Sequence, residues 1–204
     1  MHYRPPMPLS SRYPMSAVRD IHRGAVVHLT VEEVTLPNGH FMPLEIVRHP
    51  GASAIAALGE DGTVTLLRQY RHAVGGYLWE VPAGKLDPGE SPTTYAARES
   101  AEEASLVAER LEQVGSVVTC PGFCDEVIHL FVATGLRSVA TALEADEVID
   151  TITTVSLSRA MQMIRSGEIR DAKTIAALLQ AELRHGREAR QAPRPRQVLR
   201  RHRR

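Results

Sequence analysis

A glycine turn followed by a short run carrying three glutamates constrains this chain more than anything else in it. The stretch reads Gly84-Lys-Leu-Asp-Pro-Gly-Glu90-Ser-Pro-Thr-Thr-Tyr-Ala-Ala-Arg98-Glu99-Ser-Ala-Glu102-Glu103. Ser91 followed by Pro92 has the form of an N-cap and a first helical residue, which predicts a helix over the glutamates. In a helix, positions 99, 102 and 103 stand at i, i+3 and i+4, so all three carboxylates share one face. Like charges at those spacings destabilise a helix by roughly 0.2–0.5 kcal/mol per pair, and only Arg98 lies beside them to offset it. A hard divalent cation, which prefers oxygen ligands, is the simplest compensation; the plain alternative is a solvated acidic face. A stripe of small residues, Ala97, Ser100, Ala101 and Ala104, predicts close packing on a sheet with the carboxylates pointing elsewhere.

Around this helix the chain alternates between strand-like and helix-like segments. Residues 1–20, rich in Pro, Ser and Arg, are expected to be poorly ordered. Two β-like runs follow, Gly24–Val34 and His40–Val47, joined by Leu36-Pro-Asn-Gly39, whose Asn-Gly is a strong hairpin signal. They predict a separate antiparallel element over 21–50. A second strand pair, Ser53–Leu58 and Thr63–Tyr70, flanks Gly59-Glu-Asp-Gly62, and further strands are expected at Gln113–Thr119, Val127–Ala133 and Val148–Val155. Ser158–Arg165 predicts a helix ended by Gly167; Asp171 caps a second, with Gly186 as its stop. Strands interleaved with helices on both sides predict an α/β sandwich with a mixed sheet over 51–185, followed by a basic, disordered tail over 186–204.

Composition narrows the classes. A chain of 204 residues is long enough for one substantial core. It holds no run of 18 apolar residues, so no membrane span is expected. Met1 to Tyr13 has no continuous apolar stretch, so no secretory signal is expected and the cytoplasm is the predicted location. Both cysteines lie in Cys120-Pro-Gly-Phe-Cys124, a spacing that is neither the redox Cys-x-x-Cys nor a four-ligand zinc pattern, and they read as reduced thiols. The net charge of zero conceals a last segment, residues 184–204, with nine arginines and one acid, which leaves 15 basic against 23 acidic residues before it. Such a tail cannot bury enough apolar surface to fold alone. It reads as a solvated end, with loose contact to a polyanion as the functional alternative. With three Phe, five Tyr and one Trp, an aromatic nucleic-acid platform is not expected.

The glutamate stretch resembles the Nudix box, Gly-x5-Glu-x7-Arg-Glu-U-x-Glu-Glu-x-Gly-U with U a bulky aliphatic. Gly84, Glu90, Arg98, Glu99, Glu102, Glu103 and Leu106 match in register, while Ser100 replaces an aliphatic and Ser105 replaces glycine. The flanks resemble the ADP-ribose pyrophosphatase branch of that family. The resemblance rests on Leu67-Arg-Gln-Tyr-Arg71, Tyr77-Leu-Trp-Glu80-Val-Pro-Ala-Gly84, Pro121-Gly-Phe-Cys-Asp-Glu126, and Ser166-Gly-Glu-Ile-Arg-Asp-Ala-Lys-Thr174. It spans residues 24–183.

The resemblance implies a Nudix-type α/β/α sandwich that hydrolyses a pyrophosphate bond with Mg²⁺, for which Mn²⁺ could substitute. The anionic oxygens of such a bond repel water, so cations must neutralise charge and acidify the nucleophile. The implied metal ligands are Glu99, Glu102, Glu103 and the carbonyl of Ala83, with Arg98 orienting Glu90. Arg71 is the implied diphosphate contact, since a guanidinium binds phosphate bidentately; an edge-strand surface charge is the alternative. Trp79, Glu80 and Gly84 complete the implied substrate set, with core packing the alternative for Trp79. The branch takes its general base from a loop well after the box, here Ala142-Leu-Glu144-Ala-Asp-Glu147-Val, where Glu147 is favoured and Glu144 second; an ordinary solvated acidic loop is the alternative. Adenine stacking from the N-terminal hairpin of a second subunit implies a homodimer, with His28, Phe41 and Arg48 as contributors. The expected reaction is ADP-ribose to AMP and ribose 5-phosphate. Another sugar nucleotide such as GDP-mannose, or a non-catalytic Nudix-like module holding RNA or a protein, are the competing expectations.

Overall fold

The computed structural model describes the backbone of residues 15–87, 89–139 and 148–191. Its first element is a three-stranded antiparallel sheet, β1 (Met15–Arg23), β2 (His28–Thr35) and β3 (Phe41–Arg48), in that order. The Asn-Gly turn forms as its chemistry predicts. Gly39 takes a φ of 82° and donates to the Leu36 carbonyl at 2.8 Å, while Asn38 Oδ1 accepts from the His40 amide at 3.0 Å. Two expectations need correction here. Residues 15–20 are not disordered but form most of β1, and the N-terminal element therefore begins before 21. The strand escapes a sequence reading because, among the described residues, it pairs with β2 alone and its described side chains are all exposed, so no buried alternation marks it.

The remaining chain gives β4 (Ala52–Ala57), β5 (Thr63–Arg71), β6 (Gly76–Glu80), β7 (Ala83–Lys85), α1 (Pro92–Glu102), β8 (Leu106–Val118), β9 (Val127–Ser138), β10 (Ile149–Ser156), α2 (Leu157–Ser166) and α3 (Ala172–Gln191). A mixed sheet runs β7-β4-β9-β8, with β4 parallel to β9 and antiparallel to β7, and a second antiparallel sheet runs β10-β5-β6. Strand β4 is buried throughout, and its five small residues around Ile55 let elements approach closely on both sides. On one face Ile55, Phe131 and Ala133 pack with Ala96 of α1. On the other, Ala54, Ala56, Leu130 and Val132 pack with Leu66 of β5 and with Ala177, Leu178 and Ala181 of α3. The expected α/β sandwich is what forms.

Strands β8 and β9 are longer than expected, pairing from Leu106↔Ser138 to Val118↔Val127, because the polar Glu109-Arg-Leu-Glu112 segment lies on a partly exposed extension that carries little apolar signal. Helix α2 is capped by Ser156, whose hydroxyl accepts from the Arg159 amide, and is closed by Gly167 at φ 77°. Asp171 caps α3 by accepting from the Thr174 amide at 2.9 Å. Gly186 does not stop that helix, which continues to Gln191. An interior glycine costs about 1 kcal/mol against alanine, too little to end a helix continued by good formers. The tail expectation is corrected accordingly for 186–191, and 192–204 lie outside the described residues. No described helix is long and apolar enough to cross a membrane.

Candidate active site

Helix α1 begins where Ser91 accepts from the Thr94 amide at 3.1 Å and ends into Ser105, a non-glycine residue at φ 57°. Its buried face is Tyr95, Ala96, Glu99 and Ser100, continued by Glu103 and Ala104, whereas Ala97 is exposed. The expected arrangement, a small-residue stripe inward and carboxylates elsewhere, is therefore wrong for two of the three acids. Gly84 explains why. A Cβ there would meet Tyr95 Oη at 2.4 Å and Glu99 Cδ at 2.7 Å, so the missing side chain is the space the Glu99 carboxylate fills. Glu103 Oε2 accepts from the Ala83 amide at 2.8 Å. The Tyr95 hydroxyl bonds to Glu99, and burial together with that carboxylate pushes the phenol above its ordinary range.

Glu102 takes a different path. It pairs with Arg98 at 2.9 Å, and the same guanidinium reaches Asp87 at 3.0 Å and Glu90 at 3.4 Å while lying 4.6 Å above the Tyr95 ring. Burial opposes the charge of Arg98, but Glu102, Glu90 and Glu99 together hold it firmly protonated. Among the described residues no three His, Cys, Asp or Glu side chains are gathered closely enough to hold an ion. The sequence-predicted trio is divided: Glu99 and Glu103 enter one cleft of about 380 Å³, and Glu102 turns to Arg98. Two inward carboxylates one helical turn apart, one of them seated against the bare backbone of Gly84, are a hard-oxygen donor set that fits a divalent cation.

Arg71, at the end of β5, faces this cleft. Its Nε and NH2 donate to both oxygens of Glu80, and Lys173 Nζ donates to the same carboxylate. Burial pushes the Glu80 carboxyl up, but Arg71 and Lys173 outweigh it and the group lies below its ordinary value. Glu80 is thus an anchor for two cations. Trp79 packs, partly buried, against the main core. Glu144 and Glu147 lie outside the described residues; the carbonyl of Val148, next in sequence, accepts from Tyr70 beside Arg71 at 2.9 Å.

An adjoining cleft of about 330 Å³ shares Arg71, Gly84 and Lys85 with the first and adds His49, Thr119, Glu126, Asp171 and Lys173. Sequence reading assigned none of those five a role in the site; Asp171 was expected only as a helix cap. Their segments stood out, but no periodicity tells which side chains of two loops and a helix start converge.

A model of the NUDIX domain family matches residues 47–178. The chain is 43% identical to a methanol dehydrogenase activator of Bacillus methanolicus over 171 residues, covering 81% of this chain and 92% of that one. It is 37% identical to an ADP-ribose pyrophosphatase of Bacillus subtilis (strain 168) over 175 residues, covering 85% and 94%. Among solved structures, one described as an ADP compounds hydrolase superposes with a TM-score of 0.75 at 20% identity, over 87% of this chain and 96% of that one, which speaks to the fold.

Proposed function

We propose that this chain, which belongs to the Nudix family, is a pyrophosphohydrolase that cleaves ADP-ribose to AMP and ribose 5-phosphate. The observation that carries the reading is the turn of α1 around Gly84, where Glu99 and Glu103 are buried together in a cleft that continues to Arg71. Mg²⁺, or Mn²⁺ in its place, would be held by Glu99 and Glu103 with the Ala83 carbonyl, and would supply charge neutralisation and acidification of the attacking water; Glu102 would join this set only by leaving its pair with Arg98.

The protein's own groups do the rest. Arg71, fixed by Glu80, presents a permanently charged guanidinium to the non-bridging oxygens of the diphosphate. Arg98, in the wall of the cleft, holds Glu90 and Glu102 in place. Glu147, with Glu144 second, accepts the proton of the attacking water; the pairing of Val148 with Tyr70 supports a base entering beside Arg71. Water adds to one phosphorus, the bridging P–O bond breaks, and the two monophosphates leave.

The N-terminal sheet supports a homodimer, since Val18, Ile21, Val26, Val27 and Phe41 are large apolar side chains left exposed on or beside it. A cytoplasmic location is proposed with this reading.

Turnover of ADP-ribose and GDP-mannose by the wild type and by Glu103→Gln in Mg²⁺, with products identified by mass, tests the function. AMP and ribose 5-phosphate from the wild type, lost in the variant, is the expected result. Preference for GDP-mannose would overturn the substrate, and undiminished hydrolysis by Glu103→Gln would overturn the site. No turnover of either substrate by the wild type would favour a non-catalytic module.

A further inference from the structure

Glu32, in β2 of the N-terminal sheet, is a 3% exposed carboxylate with no part in the hydrolytic machinery above. Its Oε1 accepts from the Thr30 hydroxyl at 2.8 Å and from Arg48 through Nε at 2.9 Å and through NH2. Arg48, the last residue of β3, uses its remaining nitrogen, NH1, to reach Asp125 at 2.8 Å, 77 positions along the chain. The other oxygen of Asp125 accepts from the His49 amide at 2.8 Å. The backbone follows the same path, Val47 N–H donating to Phe123 O at 2.7 Å and Asp125 N–H to Val47 O at 3.2 Å.

Desolvating this much charge works against folding, and an apolar contact would hold the two segments together at least as well. What a planar guanidinium between two carboxylates adds is a fixed geometry. The segment it fixes carries one wall of the second cleft. Thr119 and Glu126, at the two ends of the loop between β8 and β9, are bonded to each other at 2.8 Å, and Glu126 lies 3.3 Å from His49 Nδ1. His49, Thr119 and Glu126 line the cleft together with Arg71 and Lys173. Arg48 itself lines neither cleft.

We propose that Arg48, clamped between Glu32 and Asp125, is a positioning residue for substrate binding: it seats the 119–126 loop on β3 and thereby sets where His49 and Glu126 stand in the cleft. Its kinetic readout rests on the hydrolase reading; its structural readout does not.

The full chain carrying Arg48→Met or Arg48→Lys is compared with wild type by steady-state kinetics on ADP-ribose in Mg²⁺ and by amide hydrogen exchange. Arg48→Met is expected to raise KM by about tenfold with kcat changed less than about threefold, and Arg48→Lys to recover part of that loss. Exchange in 119–126 should quicken in Arg48→Met while β4 and α3 keep their protection. Glu32→Gln provides the milder variant should Arg48→Met not fold, with the same direction expected. An active wild type whose KM and loop exchange are both indifferent to these changes overturns the positioning role. A fall in Tm with no change in KM reduces Arg48 to a structural contact and overturns it equally. A wild type that fails to turn over ADP-ribose overturns the functional reading instead, and loop exchange still decides the role of Arg48.

Discussion

Glu80 holds Arg71 with both carboxylate oxygens, at 2.9 Å from Nε and 2.8 Å from NH2, while itself almost fully buried. The pair converts a long, rotatable side chain into a fixed charge at the mouth of the cleft. Replacing Glu80 by Gln leaves Arg71 without the carboxylate that holds it and leaves Lys173 with Asp171, 3.1 Å away, as its remaining counter-charge. Breaking a fully buried pair costs about 3–5 kcal/mol; because Arg71 is partly open to solvent, about 2–3 kcal/mol is expected here, with kcat/KM for ADP-ribose reduced at least about tenfold.

The pH dependence of that loss has a definite sign. The folded carboxyl lies below its ordinary value of 4.5, so its stabilisation is complete above that pH and disappears as pH falls through the folded value. Urea denaturation should therefore show a gap between wild type and Glu80→Gln at pH 7 that narrows toward pH 3. A gap that stays constant would mean that Glu80 is not ionised in the fold.

Ser100 occupies the position where the Nudix box carries an aliphatic, and its hydroxyl is buried with no hydrogen-bond partner among the described residues. An unsatisfied buried hydroxyl costs about 1–3 kcal/mol, and alanine is also the better helix former. Ser100→Ala should raise stability by about 1–2 kcal/mol and Tm by about 3–6 °C, with activity unchanged. A lower Tm in calorimetry would show that the hydroxyl is satisfied after all.

Ser105, where the box carries glycine, keeps the left-handed exit from α1 at φ 57°. The backbone demand survives the substitution, so the strain should be measurable. Ser105→Gly should stabilise by about 0.5–1 kcal/mol, and Ser105→Val, β-branched in a left-handed conformation, should destabilise by about 1–2 kcal/mol. Thermal melts that rank the three other than Gly, Ser, Val would contradict the assigned conformation.

What could be read from the chain and what could not divides along local and non-local chemistry. The Asn38-Gly39 turn, the Ser91 cap of α1 and the Asp171 cap of α3 are decided by neighbouring residues, and each stands where the sequence puts it. The inward turn of Glu99 and Glu103 was not legible, because counting helix faces sends acids to solvent; it depends on the vacancy at Gly84 and on the Ala83 amide, both contributed by β7. The His49 and Glu126 wall is less visible still. It exists because β3 continues into a parallel bridge between Val47 and Cys124, a long-range contact with no sequence period. Strand β1 hid among exposed residues that, among the described residues, pair with β2 alone.

His129 in β9 is half-buried, its Nδ1 3.0 Å from Gln113 Nε2, and desolvation pulls its pKa below the ordinary 6.5. The unfolded chain therefore binds the proton more readily. The contribution of His129 to stability is complete above about pH 6.5 and is lost as pH falls through the folded value. Between pH 7.5 and 5.5 the wild type should lose more Tm than His129→Gln. Equal losses in the two proteins would remove His129 as a source of acid sensitivity.

Gly84→Ala bears most directly on the site. The added methyl carbon would stand 2.4 Å from Tyr95 Oη, 2.7 Å from Glu99 Cδ and 2.8 Å from Glu99 Oε1, so both side chains must move. A displacement of about 1 Å in a positioned group can cost about a hundredfold in rate, and that is the loss expected for ADP-ribose hydrolysis, together with a higher Mg²⁺ half-saturation. Tyr95→Phe removes the oxygen that the methyl meets first, so Gly84→Ala combined with Tyr95→Phe should regain part of the Mg²⁺ affinity. Calorimetric titration of Mg²⁺ into the three variants checks this. If Gly84→Ala binds Mg²⁺ as the wild type does, the Glu99 carboxylate is not held by the vacancy at Gly84, and the cation site must be placed elsewhere.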